Sequence, residues 1–175
     1  GIKFDLKSPE AFDEVFFKTY NEQDCLNNLG AFVSLVLKKY KKNKYLSKNN
    51  NNYKRIHLIN SVFPYSIILI PYRDPLQQAY SLLNQHRHFC DLQKKEKFIL
   101  DYMNYLGHRE FGLNYQSWNL PLDYSDAFAI NYWLEQWYLF YNNIIEYSVK
   151  NKNVVLVSYD KICKNPELVQ KLISK

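Results

Sequence analysis

Methionine occurs once, at Met103, and glycine four times, at Gly1, Gly30, Gly107 and Gly112. A chain that opens on Gly1 without an initiator is expected to continue further at its N-terminus in the natural protein. None of the four glycines opens a G-x-x-x-x-G-K-[ST] loop, so no Walker-type phosphate cradle is present in the sequence. Cysteine is scarce too. Cys25, Cys90 and Cys163 are odd in number, widely spaced and form no C-x-x-C, which excludes a disulfide framework and points to a reducing, cytoplasmic compartment. Long apolar runs are absent. The longest, Ile67 to Pro71, is strand-sized and far short of the ~18 residues of a membrane span.

What the sequence does hold is enough for a packed core. Of 175 residues, 47% are hydrophobic and 23% charged, which suits one ordered domain over residues 1–175. Aromatics reach 17%, led by 16 tyrosines, whose rings can be buried while their hydroxyls meet a wet edge. The net charge of +6 suits an anionic ligand and equally suits simple solubility. Its densest cluster, Lys38, Lys39, Lys41, Lys42 and Lys44, reads as the solvated end of a helix.

Ser8-Pro9-Glu10 has the pattern of a helix start, and Phe12, Val15, Phe16 and Tyr20 come next at helical spacing. A second helix is predicted from about Cys25 to Lys42, with Leu29, Phe32, Val33, Val36, Leu37 and Tyr40 on its apolar face. Lys44 to Ser47 is a short strand candidate, and Asn49 to Asn52 breaks structure and can cap the next element. A third helix carries Tyr53, Ile56, Ile59 and Val62 and ends before Pro64. Ser66 to Tyr72 is the strongest strand, its consecutive apolar residues suiting burial on both faces of a parallel sheet. Asp74-Pro75 opens another helix through Ser81 and His86. Residues Gly107 to Leu122 read as a loop, and Tyr124 to about Val149 as a long aromatic helix. Asn153 to Ser158 is a further buried strand, and a last helix starts near Pro166. Strands alternating with helices predict an α/β fold with a mostly parallel sheet.

The chemistry is concentrated where the Ser66–Tyr72 strand ends. Ligands of open α/β sheets bind beyond the carboxyl ends of strands, and Arg73 stands there. Its planar guanidinium can give a phosphate two parallel hydrogen bonds. Asp74, as helix cap, would occupy the first free amides and offset the helix dipole, so an anion here must be held by side chains. Ser81, two turns into the helix, can add a hydroxyl from the same side.

Arg73-Asp74-Pro75, with Ser81 eight residues after the arginine, resembles the 3′-phosphate-binding element R-[DN]-P-x5-S of sulfotransferases that use phosphoadenosine phosphosulfate (PAPS). Tyr80-Ser81 and Gln85-His86 are similar to the heparan-type and bacterial branches. Leu46-Ser47-Lys48-Asn49 resembles the family's lysine-bearing strand end. Val155 to Ile162 with Pro166 resembles its Y-E-D-L strand and proline pattern, and Pro9 to Glu14 a bacterial-branch element. The resemblance implies a P-loop-type three-layer fold, incomplete at the N-terminus because the Gly-rich phosphosulfate loop of the family lies before this region. It implies transfer of a sulfuryl group from PAPS to a hydroxyl or amine of a small-molecule, carbohydrate or peptide acceptor, leaving 3′,5′-phosphoadenosine, with no metal and no nucleic-acid partner. Arg73 and Ser81 would bind the 3′-phosphate, and Lys48 would offset charge on the leaving phosphate. Glu14 is a candidate general base. Asn50, where some members have histidine, cannot serve as one. Two other readings stand beside this one: a P-loop nucleotide kinase, requiring Mg²⁺, and a non-catalytic polyanion-binding module. His86 and His88, two apart on a helix, face different directions and do not make a metal pair. Among aromatic residues, Trp118 is the first candidate to stack on adenine, whereas Trp133 and Trp137 suit a core.

Overall fold

The computed structural model describes residues 13–118, 120–123 and 125–173. The expected helix start at Ser8-Pro9 and the element from Pro9 to Phe12 lie outside them. The chain divides into two compact units, one of residues 1–64 with 102–108 and one of residues 65–101 with 109–175.

In the first unit, α1 (Asp13–Thr19) precedes α2 (Glu22–Tyr40). Asn21 starts α2 by accepting the Asp24 N–H at 2.9 Å, a side-chain cap worth about 1 kcal/mol. The helix ends on Lys41 in the left-handed region (φ 52°), with Lys41 N–H on the Lys38 carbonyl and Lys42 N–H on that of Leu37. This pair of bonds is the usual helix-terminating motif, and it leaves the lysine cluster in solvent. Cys25, Leu29 and Val33 recur every fourth residue and pack with Phe16 and Leu58 into the unit's core. The Asn run behaves as its composition predicts: Asn49 accepts the Asn51 N–H at 2.9 Å and starts a 3-10 turn over Asn50–Arg55, continued by α3 (Ile56–Val62). The strand expected at Lys44 to Ser47 does not form, as no strand among the described residues pairs with it; the segment is held by side chains instead.

The second unit contains β1 (Ile68–Tyr72), α4 (Pro75–Lys95), α6 (Ile130–Lys150), β2 (Val154–Ser158), α7 (Tyr159–Lys164) and α8 (Glu167–Ile173); the division falls inside α5 (Lys97–Leu106). α5 and α7 were not expected from the sequence. The strands pair in parallel, with Ile68 opposite Val154 and Tyr72 opposite Ser158, so the fold is α/β. Parallel neighbours need a long crossover, and the chain from α4 through α6 supplies it. α4 packs on α6 around Ala79, Leu83, Tyr132 and Trp133. Trp133 is 1% exposed and its indole N–H reaches the Ala127 carbonyl at 2.9 Å, so the core role expected for it is the one it has. The long helix begins at Ile130, later than expected.

β1 is not buried on both faces. Ile68, Leu69 and Ile70 are half-buried and Tyr72 is exposed, since a two-stranded sheet among the described residues covers little of either strand. Ile68 donates its N–H to the Asn153 carbonyl at 2.9 Å, which turns the polar groups of residues 68, 70 and 72 toward β2 and those of 69 and 71 outward. Pro71 lacks an N–H on that outer edge, and its carbonyl is taken by the Tyr141 hydroxyl at 2.7 Å. No helix among the described residues is long and apolar enough to cross a membrane.

Candidate functional site

The register of the sheet decides which residues meet at its carboxyl end. Tyr72 lies opposite Ser158, so the next residues, Arg73 and Tyr159, leave the sheet side by side. The Arg73 guanidinium carbon sits 4.8 Å from the centroid of the Tyr159 ring, a cation–π contact. Both strands turn into helices at once. Asp74 accepts the Gln77 N–H at 2.9 Å and Pro75 takes the first helical position, as expected for α4. Ser158 caps α7 through the Lys161 N–H at 3.4 Å.

With Asp74 committed to the cap, Arg73 has no ion-pair partner among the described residues. Its Nε is buried and makes no hydrogen bond. The Nε is shut off from solvent, so an anion here would be met by the terminal N–H groups of the guanidinium, whose planar fork suits phosphate oxygens. The arrangement therefore fits a phosphate-bearing ligand.

Ser81 is exposed, on the opposite side of α4 from the buried stripe of Ala79, Leu83, His86 and Cys90. Seven residues make about two helical turns, so Ser81 shares a face with Asp74, the residue directly after Arg73.

The Cys163 thiol stands one turn along α7 from Tyr159. Its proximity raises the phenol above its ordinary value, and the Arg73 charge acts in the opposite sense. Cys163 is exposed, while Cys25 and Cys90 are buried; all three are free thiols.

Lys48 and Glu14 belong to the first unit. Lys48 is exposed between Ser47 and Asn49, both of which bond to α1. Glu14 is largely buried rather than a surface acid. Its carboxylate pairs with Arg55 and accepts the Asn49 amide at 2.7 Å, with side chains only 13% and 11% exposed for Glu14 and Arg55. Arg55 also lies 3.8 Å over the Phe17 ring. The carboxylate expected as a general base is thus held in an ion pair.

The histidines and Trp118 have these surroundings. His57 is exposed, with Nε2 at 3.2 Å from Glu22. His86 is buried among Tyr115, Phe128 and Trp133. Its Nδ1 accepts the Gly112 N–H at 3.4 Å, so the ring is neutral and the other proton faces Cys90 Sγ at 3.7 Å. Burial lowers its basicity below the ordinary value of 6.5. Trp118 packs on Phe140, with centroids 5.1 Å apart.

Tyr159 and Asp13 were missed by sequence reasoning. The signal for Tyr159 was present: it comes directly after the second strand as Arg73 comes after the first. No family model matches the chain, and neither does any curated protein or solved structure.

Proposed function

We propose that this chain is part of a PAPS-dependent sulfotransferase, with Arg73 and Ser81 holding the 3′-phosphate of the donor and of its product 3′,5′-phosphoadenosine. The observation that carries the reading is Arg73: a guanidinium beyond the carboxyl end of a parallel strand pair, with no ion-pair partner among the described residues because the neighbouring Asp74 is committed to the helix cap. To this the sequence adds the R-D-P-x5-S spacing, which leads to Ser81 on the Asp74 face of α4. The Tyr159 ring backs the guanidinium and so limits the directions open to its outward N–H groups.

In this reading the parallel pair belongs to a P-loop-type three-layer fold. The acceptor is a hydroxyl or amine on a small molecule, carbohydrate or peptide, and Lys48 is the cation that offsets charge on the leaving phosphate.

Thermal melting of the intact protein tests the assignment. At a hundredfold excess over its dissociation constant, 3′,5′-phosphoadenosine stabilises by about 2.7 kcal/mol, whereas ADP with Mg²⁺ gives a smaller shift. Equal protection by the two, or none by 3′,5′-phosphoadenosine, overturns the reading. A steep salt dependence with no preference for a 3′-phosphate favours a polyanion-binding module instead.

A further inference from the structure

Asp13 and Glu14, adjacent on α1, reach three positions of one short segment. The Asp13 carboxylate accepts the Tyr45 hydroxyl at 2.9 Å and the Ser47 hydroxyl at 2.5 Å. Glu14 accepts the Asn49 amide at 2.7 Å. Residues 45, 47 and 49 are thus each anchored and half-buried, while Leu46 and Lys48 between them are exposed, Leu46 by 80%. This is the alternation of an extended chain with one side fastened and the other free.

The anchors are carboxylates receiving hydroxyl and amide donors, and such charge-assisted bonds are shorter and stronger than neutral ones. They bracket Lys48 on both sides. The backbone from which the Lys48 side chain springs is thereby held. A cation acts on developing charge in proportion to how well its position is fixed before reaction.

We infer that Asp13 and Glu14 are positioning residues: they fasten the 45–49 segment so that Lys48 alone is presented outward as a cation. The inference rests on the role proposed above for Lys48. It also gives the Asp-Glu pair a purpose other than proton transfer, since the segment occupies Asp13 and shares Glu14 with Arg55.

The test uses the intact protein and the variants Asp13→Ala, Asp13→Asn, Lys48→Ala and the double variant Asp13→Ala/Lys48→Ala. Amide hydrogen exchange over residues 46–50 should quicken on the order of tenfold or more in Asp13→Ala, and less in Asp13→Asn, which keeps one acceptor oxygen. For sulfuryl transfer from PAPS, kcat should fall on the order of tenfold in Asp13→Ala with the donor KM unchanged. The double variant should be no slower than Lys48→Ala, because Asp13 acts through Lys48. Full additivity of the two losses, or a loss confined to KM, overturns the positioning role, and unchanged exchange in Asp13→Ala overturns the clamp itself. Absence of any sulfuryl transfer by the unaltered protein overturns the proposed function instead, and the exchange measurement then judges the clamp by itself.

Discussion

Arg73 and Tyr159 stand at the same level of two parallel strands, with the guanidinium carbon 4.8 Å from the ring centroid. The whole crossover from α4 to α6 separates them in sequence. Tyr159 is itself exposed, so solvent screens the contact and it contributes little to the fold. Arg73 is thus cheap to remove structurally and valuable to an anion.

Replacing Arg73 by alanine should accordingly separate binding from folding. A lost charge-assisted contact of about 1.5–3 kcal/mol weakens 3′,5′-phosphoadenosine roughly 10- to 100-fold. Titration calorimetry measures the affinity and a thermal melt checks the fold. Unchanged affinity in Arg73→Ala would falsify the assignment.

Asp74 has a different job from its neighbour. Asp74→Ala removes the acceptor for the Gln77 N–H and should cost about 1 kcal/mol. For a chain of this size that is a fall in Tm of about 2–4 °C. Because a carboxylate beside the anion site is removed as well, affinity for the phosphate ligand should hold or improve. A weakened ligand with an unchanged Tm contradicts the cap role.

His86 makes stability depend on acidity. The folded protein keeps the ring neutral through burial, below the ordinary value of 6.5. Its contribution is therefore complete above 6.5 and is lost as the pH falls from there through the folded-state value. The groups around it, Cys90, Gly112, Tyr115, Phe128 and Trp133, are uncharged at neutral pH and offer a protonated ring no counter-ion among the described residues. Urea midpoints should fall between about pH 7.5 and pH 5, and His86→Gln should flatten that dependence. Identical slopes for the two proteins exclude His86 as the source.

Two glycines should respond oppositely to alanine. Gly112 has φ 90°, and a Cβ there would lie 2.3 Å from the Gln93 amide oxygen, which itself accepts the Leu113 N–H at 2.7 Å. Gly112→Ala should destabilise by about 2–3 kcal/mol. Gly30 lies within α2 with nothing inside 4 Å of its would-be Cβ, so Gly30→Ala should stabilise by about 0.5–1 kcal/mol. Chemical unfolding of the two variants gives both signs in one experiment.

Local features of the fold were legible in the sequence, and long-range ones were not. Asp74-Pro75 announced α4, and the asparagine run announced its own turn, because each depends only on neighbouring residues. Arg73 was found for the same reason: a strand that ends in arginine is a local pattern. The Tyr159 ring against it depends on the register of strands far apart in sequence, and the Asp13 bonds to Tyr45 and Ser47 on how α1 meets a distant segment. Lys44 to Ser47 has the composition of a strand, but no strand among the described residues pairs with it, and side-chain anchors stand in for a ladder there. α5 escaped notice because Glu96, in an extended conformation, interrupts what reads as one continuous helical stretch after His86.

Of the three thiols, only that of Cys163 meets solvent, and it touches the tyrosine on which Arg73 rests. A maleimide fluorophore will therefore label this chain at a single point without any mutation, since burial shields Cys25 and Cys90. The dye would sit one aromatic ring away from the guanidinium, and its emission would track the arrival of an anion there.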